Sequence, residues 1–505
     1  MDNQAMAVTA SFFNARSLPG WAVSTIVHAI ALTILLFIPL KPKPLIEEII
    51  VEQETINLPT ESEMVQDIQQ PAEILPEPQV LASETPTPTP TNDTAESGGD
   101  ANAAVSDAMD VGSPMMAATK ALDGGAASLP IGKGRTEGFS GRGAGKGLML
   151  GKGGGTLNTE FSVNAGLAWM VKHQIDDGGN TAHWEINYTR RSTGATTGVG
   201  EKRDHMAATA LALLPFLAGN HTHQTGQHRN VVKKALNWML ANQGADGRLL
   251  AKGDMDEMYS HALGSIVLCE AYALTKDRAL GAAAQKSIDF TCRNQNKTGG
   301  WRYMAKSADA DTSVFGWQFM SLKSALMAGL KVPEKTLTEG MKYLKTVQPE
   351  KPGDHWAYDP GGARSPAMTS IGVLCHQYMG KGKSDPLVDQ GVKLLISTSP
   401  PERTTHPYYW YYATQVVHHY QGPDWERWNR AMRRIWVDKQ NRDSKSTDYG
   451  SWDPKDFNRG AHDLVSGGRL YLTSIGLLTL EVYYRYLPLY EGIRVIETKT
   501  ASTEK

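Results

Sequence analysis

Cysteine is scarce in this chain: Cys269, Cys292 and Cys375 are the only three in 505 residues, and no two stand in a CxxC spacing. All three fall within apolar helical patterns, which excludes a disulfide framework and a thiolate metal site and leaves buried thiols as the expectation. No sign of charge dominates either. The 51 Lys and Arg face 53 Asp and Glu, for a formal net charge of -2, so the clustered basic excess that a nucleic-acid partner requires is missing. No nucleic acid, metal or cofactor is expected.

Long apolar runs are nearly absent as well. The one exception, Gly20 to Leu40, carries no formal charge apart from a protonated His28 and is long enough to cross a bilayer. Lys41-Pro42-Lys43-Pro44 follows it and supplies no small-residue cleavage site, so a membrane anchor is expected rather than a removed leader. Beyond it, residues 41–157 are acidic, then Pro/Thr-rich from Thr85 to Thr91, then Ala-rich and finally Gly/Lys-rich. Such a segment buries too little apolar surface to offset chain entropy and is expected to be a disordered tether, spanning on the order of 60 Å. Its glycine run is not a phosphate loop, because Lys146 and Lys152 are each followed by Gly where that motif needs Ser or Thr.

What the chain does have is a repeat. Gly166-Trp169-Gln174, Ala235-Trp238-Gln243, Ser287-Phe290-Gln295, Gly340-Tyr343-Gln348, Gly391-Leu394-Ser399 and Met432-Ile435-Gln440 share one spacing, and their last positions lie 69, 52, 53, 51 and 41 residues apart. A period near fifty marks stacked copies of one supersecondary unit. Within each unit the first helix has one apolar face, as in Val232, Ala235, Leu236 and Met239, whereas the second is apolar almost all round and must be enclosed by other helices. Six outer and six inner helices close most simply into an all-α (α/α)6 toroid over residues 158–490, with an open superhelix as the alternative. Residues 491–505 are left as a disordered tail.

Between units come Asp177-Gly178, Asp246-Gly247, Gly299-Gly300-Trp301, Gly353-Asp354-His355-Trp356 and Gly450-Ser451-Trp452, where Gly frees the helix end to take a left-handed cap and turn. Gln, a few residues, then Gly and Trp resembles the QW repeat of squalene-hopene cyclases and the related repeats of protein prenyltransferase β subunits. The resemblance covers about residues 160–490 and implies the toroid; in that family the repeats brace helix ends. In the anchor, Trp21 with Ser24 and His28 at i, i+4 resembles TonB-type energy transducers, which implies contact with a proton-driven motor complex, residues 1–19 in the cytoplasm and the carboxyl-terminal domain in the periplasm of a single-pass inner-membrane protein. Anchor, linker and toroid together resemble membrane-anchored repeat proteins of planctomycete-type bacteria, which implies no particular reaction.

In such a toroid the amino termini of the inner helices meet at one mouth, where helix dipoles present partial positive charge. Reading the starts of the second helices gives Asp204 and His205, Tyr259 and His261, Asp309 and Asp311, Arg364, the Tyr408–Tyr412 run with Tyr409 and Tyr412, and Arg469 and Tyr471. Asp311 matches the middle Asp of the cyclases' Asp-x-Asp-Asp-Thr, which implies an alkene-protonating acid modulated by Asp309 or His261, with Trp317, Tyr409 and Tyr412 facing carbocations. Thr312 replaces the second adjacent Asp, and a helix N-cap is the competing role for Asp309 or Asp311. The prenyltransferase zinc site has no counterpart, since no Asp-x-Cys pair precedes a suitable His. His221, His223 and His228 have a spacing imidazole ligands use but read as surface loop residues. Arg364 and Arg469 suggest instead an anionic or polyhydroxyl ligand. Three functions follow: a ligand-binding or interaction module at the mouth, an isoprenoid cyclase initiated by Asp311, or a TonB-like motor-coupled protein.

Overall fold

The computed structural model describes residues 139, 141–188, 197–457 and 461–487. Ser24, His28, the 20–40 run and most of the 41–157 segment lie outside them. Among the described residues no helix is long and apolar enough to cross a membrane.

A short helix α1 (Lys146–Gly153) precedes six helical pairs. The first members are α2 (Leu157–Lys172), α4 (Arg229–Ala241), α6 (Arg278–Arg293), α8 (Glu334–Val347), α10 (Pro386–Thr398) and α12 (Pro423–Lys439). The second members are α3 (His205–Ala218), α5 (Glu257–Thr275), α7 (Thr312–Ala328), α9 (Pro366–Tyr378), α11 (Pro407–Tyr420) and α13 (His462–Leu480), and α14 (Val482–Arg485) ends the description. Caps start several of them: Thr156 exchanges hydrogen bonds with Thr159 in a capping box at α2, and Asp277, Asp385 and Ser365 accept backbone N–H groups at α6, α10 and α9.

The second members form a closed inner ring. Each of α3, α5, α7, α9, α11 and α13 packs on the next, and α13 packs back on α3. The first members line the outside, and α12 touches α2. An open superhelix is thereby ruled out. All-round apolar sequence is the cause: every residue of α3 from Met206 to Ala218 is buried, which is possible only with neighbours on every side.

The repeated Gln holds adjacent units together. Gln174 donates to Val231 O (2.9 Å), Gln243 to Ala283 O (2.9 Å), Gln295 to Thr336 O (2.9 Å) and Gln440 to Ser162 O (2.7 Å). Each acceptor belongs to the next outer helix round the ring, and the last bond is the seam. Trp184, Trp301 and Trp452 donate their indole N–H to Met170 O, Thr291 O and Trp436 O at the end of the preceding outer helix. Gly299 and Gly450, at φ 91° and 88°, take a left-handed conformation, and a Cβ there would collide with Glu339 O or Ala165 O of the next outer helix.

Three features differ from the sequence reading. The tether expected to run to residue 157 ends earlier: Phe139 and Met149 are buried, α1 packs on α14, and Gly153 O accepts from Trp425 Nε1 (3.0 Å) and Asn429 Nδ2 (3.1 Å). Its glycines admit this approach, since a Cβ at Gly153 would stand 2.8 Å from the Tyr483 ring. A two-stranded hairpin, β1 (Ile175–Gly178) with β2 (Thr181–His183), follows α2 where only a turn was expected, because Gly178 and Gly179 both take positive φ. Helix α13 starts at His462 and bends at Gly468 (φ 58°, ψ -154°), where the 198–200 segment crosses and Gly198 O accepts from Arg469 N (2.6 Å). Arg469 and Tyr471 therefore open the helical segment beyond the bend rather than the first turns of α13.

Candidate functional site

The inner helix starts gather around a cavity of about 680 Å³. Loops of neighbouring units shape it. Asp204 Oδ1, just before α3, accepts from Met255 N (2.6 Å) and Asp256 N (2.9 Å), and Asp254 in turn accepts from His205 N (2.7 Å), Met206 N (3.1 Å) and Ala251 N (3.0 Å). The loop of the second unit thus caps the helix of the first. Burial raises the Asp254 carboxyl above its ordinary value despite those three donors.

Aromatic hydroxyls dominate the wall. Tyr259 OH donates to Ser313 Oγ (2.8 Å), and Ser313 Oγ meets Tyr408 OH (2.6 Å), a chain that joins α5, α7 and α11 across the mouth. The Tyr303 and Tyr358 hydroxyls pair with each other, and the Tyr303 ring lies 5.8 Å from that of Tyr259. Tyr471 OH donates to Asp463 Oδ2 (3.0 Å). Deeper, Trp317 stacks on Tyr411 with ring centroids 5.5 Å apart and meets Tyr412 edge-on, while Leu211 and Leu263 complete an apolar floor. Lys202 Nζ, 2.6 Å from Asp256, is neutralised at the rim. Burial raises the phenols of Tyr259, Tyr408 and Tyr471, so all three are hydrogen-bond donors at neutral pH.

The expected site residues divide. Tyr259, Trp317 and Tyr471 line the cavity. Tyr412 is buried beside it, its ring 5.2 Å from that of Tyr408. His205 opens α3, its ring 31% exposed and 4.0 Å from Glu185. Tyr409 faces outward instead, donating to Ser399 O (2.8 Å) and meeting Trp428 of α12. His261 also faces outward: Leu249 N donates to its Nδ1 (3.2 Å), so Nε2 carries the proton and bonds Ser287 O (3.1 Å) on α6. Burial pushes that imidazole down to about 3.

Neither arginine reaches the cavity. Arg364 is exposed and donates to His355 O (2.6 Å). Arg469 is 1% exposed and spends its guanidinium on Asp453 (2.6 Å), Asp448 (3.4 Å) and Thr197 O (2.7 Å). Asp309 is a surface residue, its side chain 66% exposed and 3.1 Å from Arg302. Asp311 is fully buried and caps α7, accepting from Val314 N (2.9 Å). Burial pushes the carboxyl up to about 6, against the donors of Val314, Ser313 and Tyr358 and the nearby Arg302. It does not line the cavity.

His221 and His228 pack ring to ring at 4.8 Å, and His223 pairs with Asp277 (3.2 Å). Among the described residues no group of His, Cys, Asp or Glu is placed to hold a metal. Cys269 and Cys375 are buried, and burial raises both thiols.

The wall residues Tyr303, Tyr358 and Asp463 went unread in the sequence. A signal was present for the first two. Tyr303 and Tyr358 each stand two positions after a repeat Trp, as does Ile186 after Trp184, and all three line the cavity. The Trp turns inward to its helix junction, and two residues later the chain reaches the mouth.

No family model matches the chain, and no curated protein matches it. Among solved structures it is similar to a family 76 glycoside hydrolase (mannosidase) of Bacteroides thetaiotaomicron, at 12% identity over 68% of this chain and 100% of that one, with a TM-score of 0.46. An inactive variant of an alpha-1,6-mannanase of Salegentibacter, in complex with alpha-1,6-mannotriose, matches at 12% identity over 65% of this chain and 99% of that one, with a TM-score of 0.45. A type II terpene cyclase from Scytonema, in complex with geranylgeranyl dihydroxybenzoate, matches at 13% identity over 65% and 97%, with a TM-score of 0.41. At these scores the likenesses decide nothing about activity.

Proposed function

We propose that the ring is a ligand-binding module whose mouth takes a neutral, hydroxyl-rich ligand of carbohydrate type. The observation that carries this is the wall itself: Tyr259, Tyr303, Tyr358, Tyr408 and Tyr471 present phenols around Trp317, with Asp204, Asp256 and Asp463 as acceptors. Flat aromatic faces supply apolar contact, while the phenols and carboxylates supply directional hydrogen bonds, the usual division of labour in a concave site. An anionic ligand is poorly served, because Arg364 and Arg469 are turned away and Lys202 is paired.

The test is titration of purified protein with a panel of methyl glycosides and oligosaccharides, followed by tryptophan fluorescence and calorimetry. Saturable binding that weakens about tenfold in Tyr303→Phe and Tyr358→Phe, each removing one hydrogen bond worth roughly 1–1.5 kcal/mol, supports the reading. A natively folded protein that binds none of the panel sinks it.

One observation favours a second reading, an isoprenoid cyclase. Burial pushes the Asp311 carboxyl up to about 6, toward the protonated form an alkene-protonating acid needs, and the reading requires a substrate path to this residue beyond the cavity wall. Asp311→Asn keeps a competent N-cap, so the fold survives, and loss of polyprenyl cyclisation in that variant would select this reading.

The ring is further proposed to stand in the periplasm, held to the inner membrane by residues 20–40. Recovery of the full chain in the soluble fraction, without detergent, would refute that placement.

A further inference from the structure

The cavity has a border unlike its walls. Among the described residues six large apolar side chains are exposed: Leu157 and Phe161 on α2, and Met255, Tyr303, Met304 and Val465. The last four belong to one arc around the mouth. Val465 O accepts from Glu201 N (3.2 Å) and Ser466 O from Lys202 N (3.1 Å), which ties the start of α13 to the 201–202 segment. Lys202 Nζ lies 2.6 Å from Asp256, the neighbour of Met255, and Tyr303 O accepts from Met258 N (2.9 Å). Asp256, Tyr303 and Ser466 all line the cavity, so the apolar arc and the polar site share an edge.

Singly scattered apolar side chains need no explanation. Here Tyr303 lines the cavity, and Met304, Met255 and Val465 are the chain neighbours of its lining residues Tyr303, Asp256 and Ser466, at 55%, 64% and 41% exposure. Three ionic groups along the arc are already paired: Lys202 with Asp256, and Glu257, which accepts from Arg248 (3.0 Å) and Ala305 N (2.8 Å). They compete weakly with a hydrocarbon laid beside them. Methionine, unbranched and polarizable, adapts to chains of varied path.

We infer that the ligand is an amphiphile: a hydroxyl-bearing head enters the cavity, and a hydrocarbon chain leaves it across Met255, Met304 and Val465. This rests on the carbohydrate-type reading of the cavity and adds the half of the ligand outside it.

The experiment compares methyl and octyl glycosides of glucose, mannose and galactose, each below its critical micelle concentration, by calorimetry on the folded protein. Two covered methylenes suffice for about a tenfold gain, so at least one octyl glycoside should bind ten times more tightly than its methyl partner. In the triple variant Met255→Ser, Met304→Ser, Val465→Ser that gain should vanish while methyl glycoside affinity stays unchanged. In Leu157→Ser, Phe161→Ser, which alters exposed apolar groups elsewhere, the gain should persist. Equal binding of methyl and octyl forms, or a gain that survives the rim variant or disappears in the α2 variant, overturns the amphiphile inference and leaves the cavity reading standing. Failure of every glycoside to bind overturns both.

Discussion

Arg142 Nη2 lies 2.8 Å from Glu270 Oε2, with neither side chain exposed. Arg485 approaches the other carboxylate oxygen at 3.2 Å, so one glutamate on inner helix α5 holds two arginines, one from just before α1 and one from α14. Arg142 also donates to Leu217 O (3.2 Å) near the end of α3. This end of the ring, opposite the cavity, is where inner-helix carbonyls concentrate negative potential, and the guanidinium groups answer it. Burial alone would raise the Glu270 carboxyl; the two arginines outweigh it and hold the group below its ordinary value.

Arg142→Met should therefore destabilise the ring by about 3 kcal/mol, the lower part of the range for breaking a buried pair, because Arg485 remains. Urea unfolding at neutral pH reads it. A group held low contributes stability that is complete above its unfolded value, about 4.3 for Glu, and is lost as pH falls through the folded value. The variant should show a shallower loss below that pH.

At the seam, Gln440→Ala removes bonds to Ser162 O (2.7 Å) and Gly450 O (2.8 Å). A loss of about 1–3 kcal/mol is expected, with amide exchange in α2 and α12 accelerated ahead of the rest. Should the midpoint stay where it is in the parent protein, the Gln bridges are not what closes the ring.

The two arginines once candidates for ligand contact should behave oppositely. Arg469→Ala strips Asp453 and Asp448 of a buried partner and should cost roughly 3–5 kcal/mol. Arg364→Ala, at an exposed loop position, should fall within about 0.5 kcal/mol of the parent. Thermal unfolding of both variants distinguishes the roles, and a glycoside affinity altered by Arg364→Ala would contradict the cavity geometry.

Buried imidazoles make the ring acid-sensitive before its carboxylates titrate. Burial pushes His261 and His418 down to about 3 and His419 well below its ordinary value. The unfolded chain takes up protons near pH 6.5 while the folded ring does not, so stability is full above that pH and falls as pH drops toward 3. Between pH 6.5 and 5 the loss is on the order of 1–2 kcal/mol per histidine. His261→Gln should reduce the slope of urea midpoint against pH over this interval.

Much of the fold was legible because a repeat states its constraint six times. The Gln at the end of α4 and its counterparts at the ends of α6 and α12 meet the same obligation, a carbonyl on the next outer helix, and the all-round apolar character of α3 or α11 permits only an enclosed position. The site was legible in part. Tyr259, Trp317 and Tyr471 follow from the idea of a common mouth, but Tyr409 beside Tyr408 and His261 near Tyr259 point to the outer layer, since a change of one or two residues on a helix turns a side chain by 100° or more. The burial of Arg469 was not legible because the bend at Gly468, just before it, depends on the 198–200 segment, distant in sequence.

From its residues alone the chain declares six hairpins, an enclosed inner layer, and a mouth where inner helix starts converge, since periodicity and apolar content are local properties that each unit carries by itself. Only the tertiary structure decided that Asp311 caps a helix outside the cavity wall, that Arg469 is consumed by Asp453, and that the glycine-rich stretch around Arg142 belongs to the folded ring. Those outcomes turn on which charge finds which partner across many residues of separation, and in a dry interior the nearest opposite charge, not the residue type, sets the role.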